Sequence, residues 1–122
     1  MYKRQKQGFH ITREDGALFA FAGLWSIWRG AAESNLRTCT ILTTEANAAI
    51  EQLHDRMPII LSPEAEAPWL ERSTDAARVA ELLRGLDATQ IASRAVGPAV
   101  NDARYDGPEC LDAPVQAQAS LF

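Results

Sequence analysis

Residues 8–25 read GFHITREDGALFAFAGLW, and the strongest structural prediction from the sequence rests on this segment. Phe9 and Ile11 alternate with polar neighbours, as in a strand with one face toward a core. Residues 18–22 are apolar throughout, which is typical of a strand covered on both faces. Between the two, Asp15-Gly16 provides the positive backbone angles that a tight turn needs. The segment therefore predicts a β-hairpin with a buried second strand.

The rest of the chain alternates between strand and helix patterns. Threonines and β-branched residues favour strands, whereas apolar residues three or four positions apart favour helices. We predict strands over residues 36–43, 59–61 and 93–100, and helices over residues 44–54, 62–68 and 75–84.

Capping residues predict where the three helices begin and end. Thr44 and Ser62 each carry a hydroxyl that can accept an unpaired N–H of a first helical turn. Ser73 or Thr74 is the predicted cap of the last helix. Gly85 is its predicted stop, because glycine tolerates the left-handed conformation common after a helix.

These elements predict the α+β class, with a mainly antiparallel sheet and two to three helices. The 122 residues fit one domain over residues 1–122, with residues 110–122 as a tail. The edges of so small a sheet are expected to pair with a second copy of the chain or with a separate partner.

Composition and charge narrow the range of functions. No apolar run approaches the roughly 20 residues that span a bilayer, and residues 1–8 lack the apolar centre of a secretion signal. We therefore expect a cytoplasmic protein without a membrane partner. The net charge is −4, yet residues 1–13 hold four basic side chains and no acid. This balance argues against broad nucleic-acid binding but leaves room for a local basic groove.

The two cysteines do not predict a metal or disulfide site. Cys39 and Cys110 form no CxxC pair and have no neighbouring histidines, so neither a metal nor a cofactor is expected. Cys39 lies mid-strand among apolar residues, where a free thiol is usually inert packing. Cys110 lies in a loop beside an acidic residue, which disfavours a reactive thiolate.

Residues 54–58, HDRMP, form the most chemically promising cluster. Histidine can transfer protons near neutral pH, and arginine can hold a phosphate with its planar fork. In the structural alternative, His54 stabilises a helix end while Asp55 and Arg56 form a solvated ion pair. The motif by itself leaves both interpretations open.

Three other side chains can be interpreted either as nucleic-acid contacts or as structural residues. Trp25 and Trp28 could stack on nucleic-acid bases, although tryptophans at the end of a core strand more often cover the core. Arg104, in a turn-rich segment, is a candidate phosphate contact.

Taken together, five segments resemble the SOS-response-associated peptidases, a family of abasic-site processing proteins that act on single-stranded DNA. The resemblance covers most of the chain, in the family's order and spacing. The matching segments are FAFAGLW at 19–25, CTILTTEAN at 39–47, HDRMPIIL at 54–61, WL at 69–70, and VN at 100–101 with DGPE at 106–109.

The resemblance implies chemistry on the aldehyde of an abasic sugar. In the family, a cysteine exposed by self-removal of the initiator methionine closes a thiazolidine ring with that aldehyde. By the same resemblance, His54 matches the catalytic histidine, Arg56 an arginine that holds a backbone phosphate, and Thr43 a threonine near the abasic sugar.

The chain departs from the family at its start. The family begins Met-Cys-Gly-Arg, whereas residue 2 here is Tyr2, and the catalytic glutamate would fall at or before Met1. We therefore expect the C-terminal portion of the family domain, unable to capture DNA covalently by itself. Three hypotheses follow: part of an enzyme with the family's peptidase and lyase activities, a degenerate module that binds single-stranded DNA or a protein partner, or a stable domain whose ancestral function is lost.

Overall fold

The computed structural model describes residues 6–30, 34–72 and 74–115. These residues form strands and α-helices in a mixed arrangement, which confirms the predicted α+β class. The strands pair two by two, and the sheets do not close into a barrel. In chain order the elements are β1 (Gly8–Arg13), β2 (Ala20–Phe21), β3 (Gly23–Arg29), β4 (Asn35–Ile41), β5 (Thr43–Glu45), β6 (Arg56–Pro58), β7 (Ile60–Leu61), α1 (Pro63–Leu70), α2 (Ala76–Leu82) and β8 (Ile91–Val96).

The described residues fall into two compact units. The terminal unit comprises residues 6–11 and 92–115, and the central unit the remaining described residues between 12 and 91. In the terminal unit, β1 pairs with β8, and Gln7 Nε2 donates to the Val96 carbonyl at 2.7 Å. Two 3-10 helices follow β8 in this unit, at Pro98–Asn101 and Pro108–Leu111.

A three-way backbone junction organises the central unit. Ala22 N donates to the Ile59 carbonyl at 2.8 Å, Ile59 N to the Leu42 carbonyl at 2.9 Å, and Leu42 N to the Ala22 carbonyl at 2.9 Å. Each of the three residues separates two consecutive strands, so the ladders β2–β7, β3–β4 and β5–β6 meet here. Ala22 is 0% exposed, so the junction has no room for a larger side chain.

The core of the central unit lies against this junction. Trp69 of α1 contributes a hydrogen bond as well as apolar area, since its Nε1 donates to the Gly23 carbonyl at 3.1 Å. Burial of the apolar side chains in this core is the main force that holds the helices on the strands. The buried cluster consists of Ala22, Ile59, Leu61, Ala65 and Leu82, with Leu42, Trp69 and Leu83 packed against it.

The predicted hairpin between residues 8 and 25 was wrong in its pairing. The turn itself forms: Gly16 has a φ of 73°, and its N–H donates to the Arg13 carbonyl at 3.0 Å. However, β1 pairs with β8, and β2 pairs with β7 rather than with β1. The second strand is also not buried, since Leu18 and Phe21 are exposed. A local turn signal fixes the chain reversal, but it does not determine which strands pair afterwards.

The helix predicted over residues 44–54 was also wrong. Thr44 pairs with Met57 in the β5–β6 ladder instead of capping a helix. The actual cap is Asn47, whose Oδ1 accepts from Ala49 N at 3.1 Å, and only successive turns follow. Strand pairing therefore overrides the helical spacing of the apolar residues between positions 44 and 54. Of those apolar residues, Ile50 alone is buried.

The other helices and strands are confirmed with changed boundaries. Helix α1 begins after Ser62, whose side chain makes no capping hydrogen bond. Helix α2 is capped by Asp75, whose Oδ1 accepts from Arg78 N at 2.8 Å, while the Thr74 hydroxyl donates to the Pro68 carbonyl instead. The last strand, β8, ends at Val96, before the 3-10 helix that begins at Pro98.

Some predictions fall on residues outside the described ranges. They are the cap at Ser73, the basic residues Lys3 and Arg4, and most of the predicted tail. Among the described residues, no helix has the length and apolar character needed to cross a membrane.

Candidate functional site

The three candidate residues of the central unit lie on or beside one short strand pair. Strand β5 begins directly after the junction residue Leu42, and β6 ends directly before Ile59. The two strands are antiparallel, with Thr43 opposite Pro58 and Glu45 opposite Arg56. The junction therefore fixes the backbone from which the site projects.

Arg56 is held by Thr43 across this strand pair. Its Nη2 donates to the Thr43 carbonyl oxygen and to Thr43 Oγ1, each at 2.9 Å. Two acceptors on one nitrogen restrict the guanidinium to one side of the ladder. Among the described residues its side-chain hydrogen bonds use Nη2, so Nη1 and Nε can donate to another acceptor.

His54 is held by the backbone of the same arginine. Arg56 N donates to His54 Nδ1 at 2.9 Å, and the Arg56 carbonyl oxygen lies 3.0 Å from the same nitrogen. When Nδ1 carries no proton, it accepts a hydrogen bond from the Arg56 N–H. When Nδ1 is protonated, it donates to the Arg56 carbonyl oxygen. The ring therefore keeps a hydrogen-bond partner in both protonation states.

The outer ring nitrogen of His54, Nε2, is separate from the one that contacts Arg56. Within the described residues, the side-chain hydrogen bonds of His54 involve Nδ1 alone. The side chain is exposed, so Nε2 is accessible from solvent. This arrangement suits an imidazole that exchanges a proton at Nε2.

The electrostatics of the site are dominated by Arg56. Among the described residues, no carboxylate lies within ion-pair distance of its guanidinium. The solvated Asp55–Arg56 pair considered from the sequence does not form, since the guanidinium turns to Thr43 instead. Asp55 has a structural role, because its carbonyl accepts from Ala46 N at 2.9 Å and closes the turn.

Arg104 belongs to the terminal unit and has a different environment. Its Nε donates to Asp102 Oδ1 at 3.0 Å and its Nη2 to Asp102 Oδ2 at 2.8 Å, a bidentate pair. These hydrogen bonds, followed by one from Arg104 N, hold the pKa of Asp102 below its ordinary value. The same carboxylate raises the pKa of Arg104.

Strands β3 and β4 form an exposed two-stranded ladder, which we call the β3–β4 ribbon. Trp25 is 68% and Trp28 59% exposed, so the prediction that they cover the core was wrong. Cys39 lies opposite Trp25 and is exposed, so its prediction as inert packing was also wrong. The two strands carry Arg29 and Arg37 and no acidic residue.

No local sequence pattern indicated the contact between Thr43 and Arg56. The residues are 13 positions apart, and the predicted helix between them implied a different geometry. A strand prediction for residues 56–58 would have paired the two segments. In the described parts of the chain, no three potential metal ligands of the His, Cys, Asp or Glu type cluster.

Comparison with known proteins identifies a family model that matches residues 1–103, described as SOS response associated peptidase (SRAP). The chain is 37% identical over 110 residues to the abasic site processing protein YoqW of Bacillus subtilis, which covers 89% of this chain and 49% of YoqW. It is 32% identical over 96 residues to the abasic site processing protein HMCES of Mus musculus, which covers 77% of this chain and 27% of HMCES. The chain thus spans about half the length of YoqW and a smaller share of the length of HMCES.

The fold also matches solved structures. A protein from Bacteroides thetaiotaomicron superposes with a TM-score of 0.78 at 24% identity, over 94% of this chain and 51% of that one. A protein from Bordetella bronchiseptica superposes with a TM-score of 0.64 at 30% identity, over 74% of this chain and 45% of that one.

Proposed function

The chain belongs to the SOS response associated peptidase family, and on that premise we propose that it takes part in abasic-site processing by binding single-stranded DNA at the β5–β6 strand pair. The relatives named above are abasic site processing proteins. The observation that carries the proposal is that one residue, Arg56, orients both functional groups. Its backbone holds the imidazole of His54, and its side chain holds a guanidinium against Thr43.

Arg56 is the proposed phosphate contact. A guanidinium binds phosphate through paired N–H groups, and here Nη1 and Nε remain for that purpose. Arg104 is proposed as a weaker contact, because a phosphate has to compete there with the Asp102 carboxylate. Few phosphate contacts are consistent with the acidic net charge of −4.

His54 is the proposed proton-transfer group. Opening of an abasic sugar ring requires that a proton move between the hydroxyl at C1′ and the ring oxygen, which a general acid and base accelerate. With Nδ1 protonated and donating to the Arg56 carbonyl oxygen, Nε2 can accept that proton and return it, while the Nδ1 hydrogen bond stays in place.

The covalent step needs two groups that the resemblance places on an N-terminal cysteine. The α-amine adds to the aldehyde and releases water as an imine forms, and the thiol then adds across the C=N bond. The thiol proton ends on nitrogen, which completes a thiazolidine. Residue 2 of this chain is Tyr2, so we propose this step only for a polypeptide that supplies the cysteine, with His54 as its proton-transfer group.

The proposal is tested by measuring the affinity of the chain for a single-stranded oligonucleotide with one abasic site, over a range of salt concentrations. Arg56→Gln should weaken binding and reduce the slope of log K against log salt by about 0.7, the loss of one phosphate contact on a single strand. The matched control is Arg29→Gln, on the β3–β4 ribbon, which should change neither quantity by as much. Equal affinity and slope for wild type and Arg56→Gln would contradict the proposal.

A second candidate function is supported by the β3–β4 ribbon. A degenerate module that binds protein without catalysis requires an apolar surface, and exposed large apolar side chains lie along both strands of the ribbon. We propose that this surface binds a second copy of the chain. The apolar residues concerned are Leu24, Trp25, Ile27, Trp28, Leu36 and Ile41.

A further inference from the structure

We infer that Thr43 is a positioning residue, which acts on DNA through Arg56 rather than by direct contact with the abasic sugar. The inference rests on the proposed function, because it takes Arg56 as the phosphate contact. It differs from the role that the family resemblance implies for Thr43, which is a place near the sugar.

The geometry places the hydroxyl of Thr43 on the guanidinium. Thr43 Oγ1 accepts from Arg56 Nη2 at 2.9 Å, and the carbonyl oxygen of the same residue accepts from the same nitrogen at 2.9 Å. The two contacts come from strand pairing that sets Thr43 opposite Pro58, two residues from Arg56. The hydroxyl is therefore already used in the free protein.

The effect on DNA binding is one of pre-organisation. An exposed arginine samples many rotamers, and each one lost on binding lowers the affinity. Thr43 restricts those rotamers before DNA arrives, and its two acceptors engage Nη2 rather than Nη1 or Nε. Removal of the hydroxyl leaves the carbonyl as the single acceptor, so the guanidinium gains freedom and the affinity falls.

Strand β5 offers a matched set of variants. Thr43→Val removes the hydroxyl and keeps a β-branched side chain suited to a strand, whereas Thr43→Ser keeps the hydroxyl. Thr44→Val makes the same chemical change at the next position, which points to the opposite face of the strand. Thr44 therefore controls for any general effect of valine on the strand.

The experiment measures the affinity of the full chain for a single-stranded oligonucleotide with one abasic site. Thr43→Val should weaken binding about fivefold, within the roughly 2- to 13-fold that one typical hydrogen bond contributes. Thr43→Ser should restore most of the affinity, and Thr44→Val should bind as wild type. The double variant Thr43→Val with Arg56→Gln should bind no more weakly than Arg56→Gln alone.

The possible failures are distinguishable. Equal losses from Thr43→Val in the wild-type and Arg56→Gln backgrounds would show that Thr43 contacts DNA directly, which overturns the inference and leaves the proposed function intact. The inference is overturned in the same way if Thr43→Val binds the oligonucleotide with wild-type affinity while Arg56→Gln binds it more weakly. Wild-type affinity of Arg56→Gln overturns both.

Discussion

Arg56 connects the residues of the candidate site. Its backbone contacts one ring nitrogen of His54, and its side chain contacts Thr43, so a change in its conformation moves both functional groups together. A residue with two such roles is poorly replaced by lysine, which lacks the planar fork that satisfies Thr43 and a phosphate at once.

Arg104 allows a prediction about ionisation at the residue scale. Its side-chain hydrogen bonds are the first cause of the lowered pKa of Asp102, and its backbone N–H is the second. Arg104→Gln should therefore raise the Asp102 pKa toward its ordinary value, while the remaining N–H keeps it somewhat lower. A carboxyl-detected NMR titration measures both values.

The sign of the pH dependence follows from the direction of this shift. Because folding lowers the pKa of Asp102, its small contribution to stability is present above the ordinary pKa and is lost as the pH falls through the lowered value. The internal control is Asp15, whose pKa is lowered mainly by the N–H of Ala17 and should be the same in the variant. An unchanged Asp102 pKa in Arg104→Gln would show that the pair does not form in solution.

At the scale of elements, the β3–β4 ribbon accounts for much of the exposed apolar surface. Its strands pair over seven residues, from Gly23 opposite Ile41 to Arg29 opposite Asn35. The ring of Trp28 lies over Gly30, where an added Cβ would meet it at 2.6 Å. The ribbon is thus paired along its whole length, and both of its faces carry exposed apolar side chains.

We expect the purified chain to self-associate through this ribbon. Trp25→Ser should shift the sedimentation velocity profile toward monomer, because it removes the most exposed tryptophan of the surface. Leu18→Ser is the matched control, since Leu18 is 93% exposed but lies outside the ribbon, and it should leave the profile unchanged. A wild-type chain that remains monomeric at all concentrations would contradict this expectation.

The elements also show what the sequence could and could not predict. The turn at Gly16, the start of α1 at Pro63 and the strand β8 depend on local chemistry and were predicted. The pairing of β1 with β8 and the strand β6 depend on contacts between distant segments, which local patterns do not encode. The same reason explains why the resemblance indicated Thr43 and Arg56, but only the structure showed the hydrogen bond between them.

At the scale of the whole molecule, the chain spans about half of relatives such as YoqW, so their activity remains a proposal for it. We propose that the β5–β6 strand pair and the neighbouring His54 bind DNA that contains an abasic site. The junction of Ala22, Leu42 and Ile59 fixes the backbone of this region. DNA binding there can be followed at each backbone amide.

The most direct test is NMR titration of the isotope-labelled chain with a single-stranded oligonucleotide that contains one abasic site. We predict that the largest amide shift changes cluster at Thr43–Glu45 and at residues 54–56, with smaller changes on the β3–β4 ribbon. Shift changes confined to other residues, with the amides of Thr43, His54 and Arg56 unmoved at saturation, would contradict the claim.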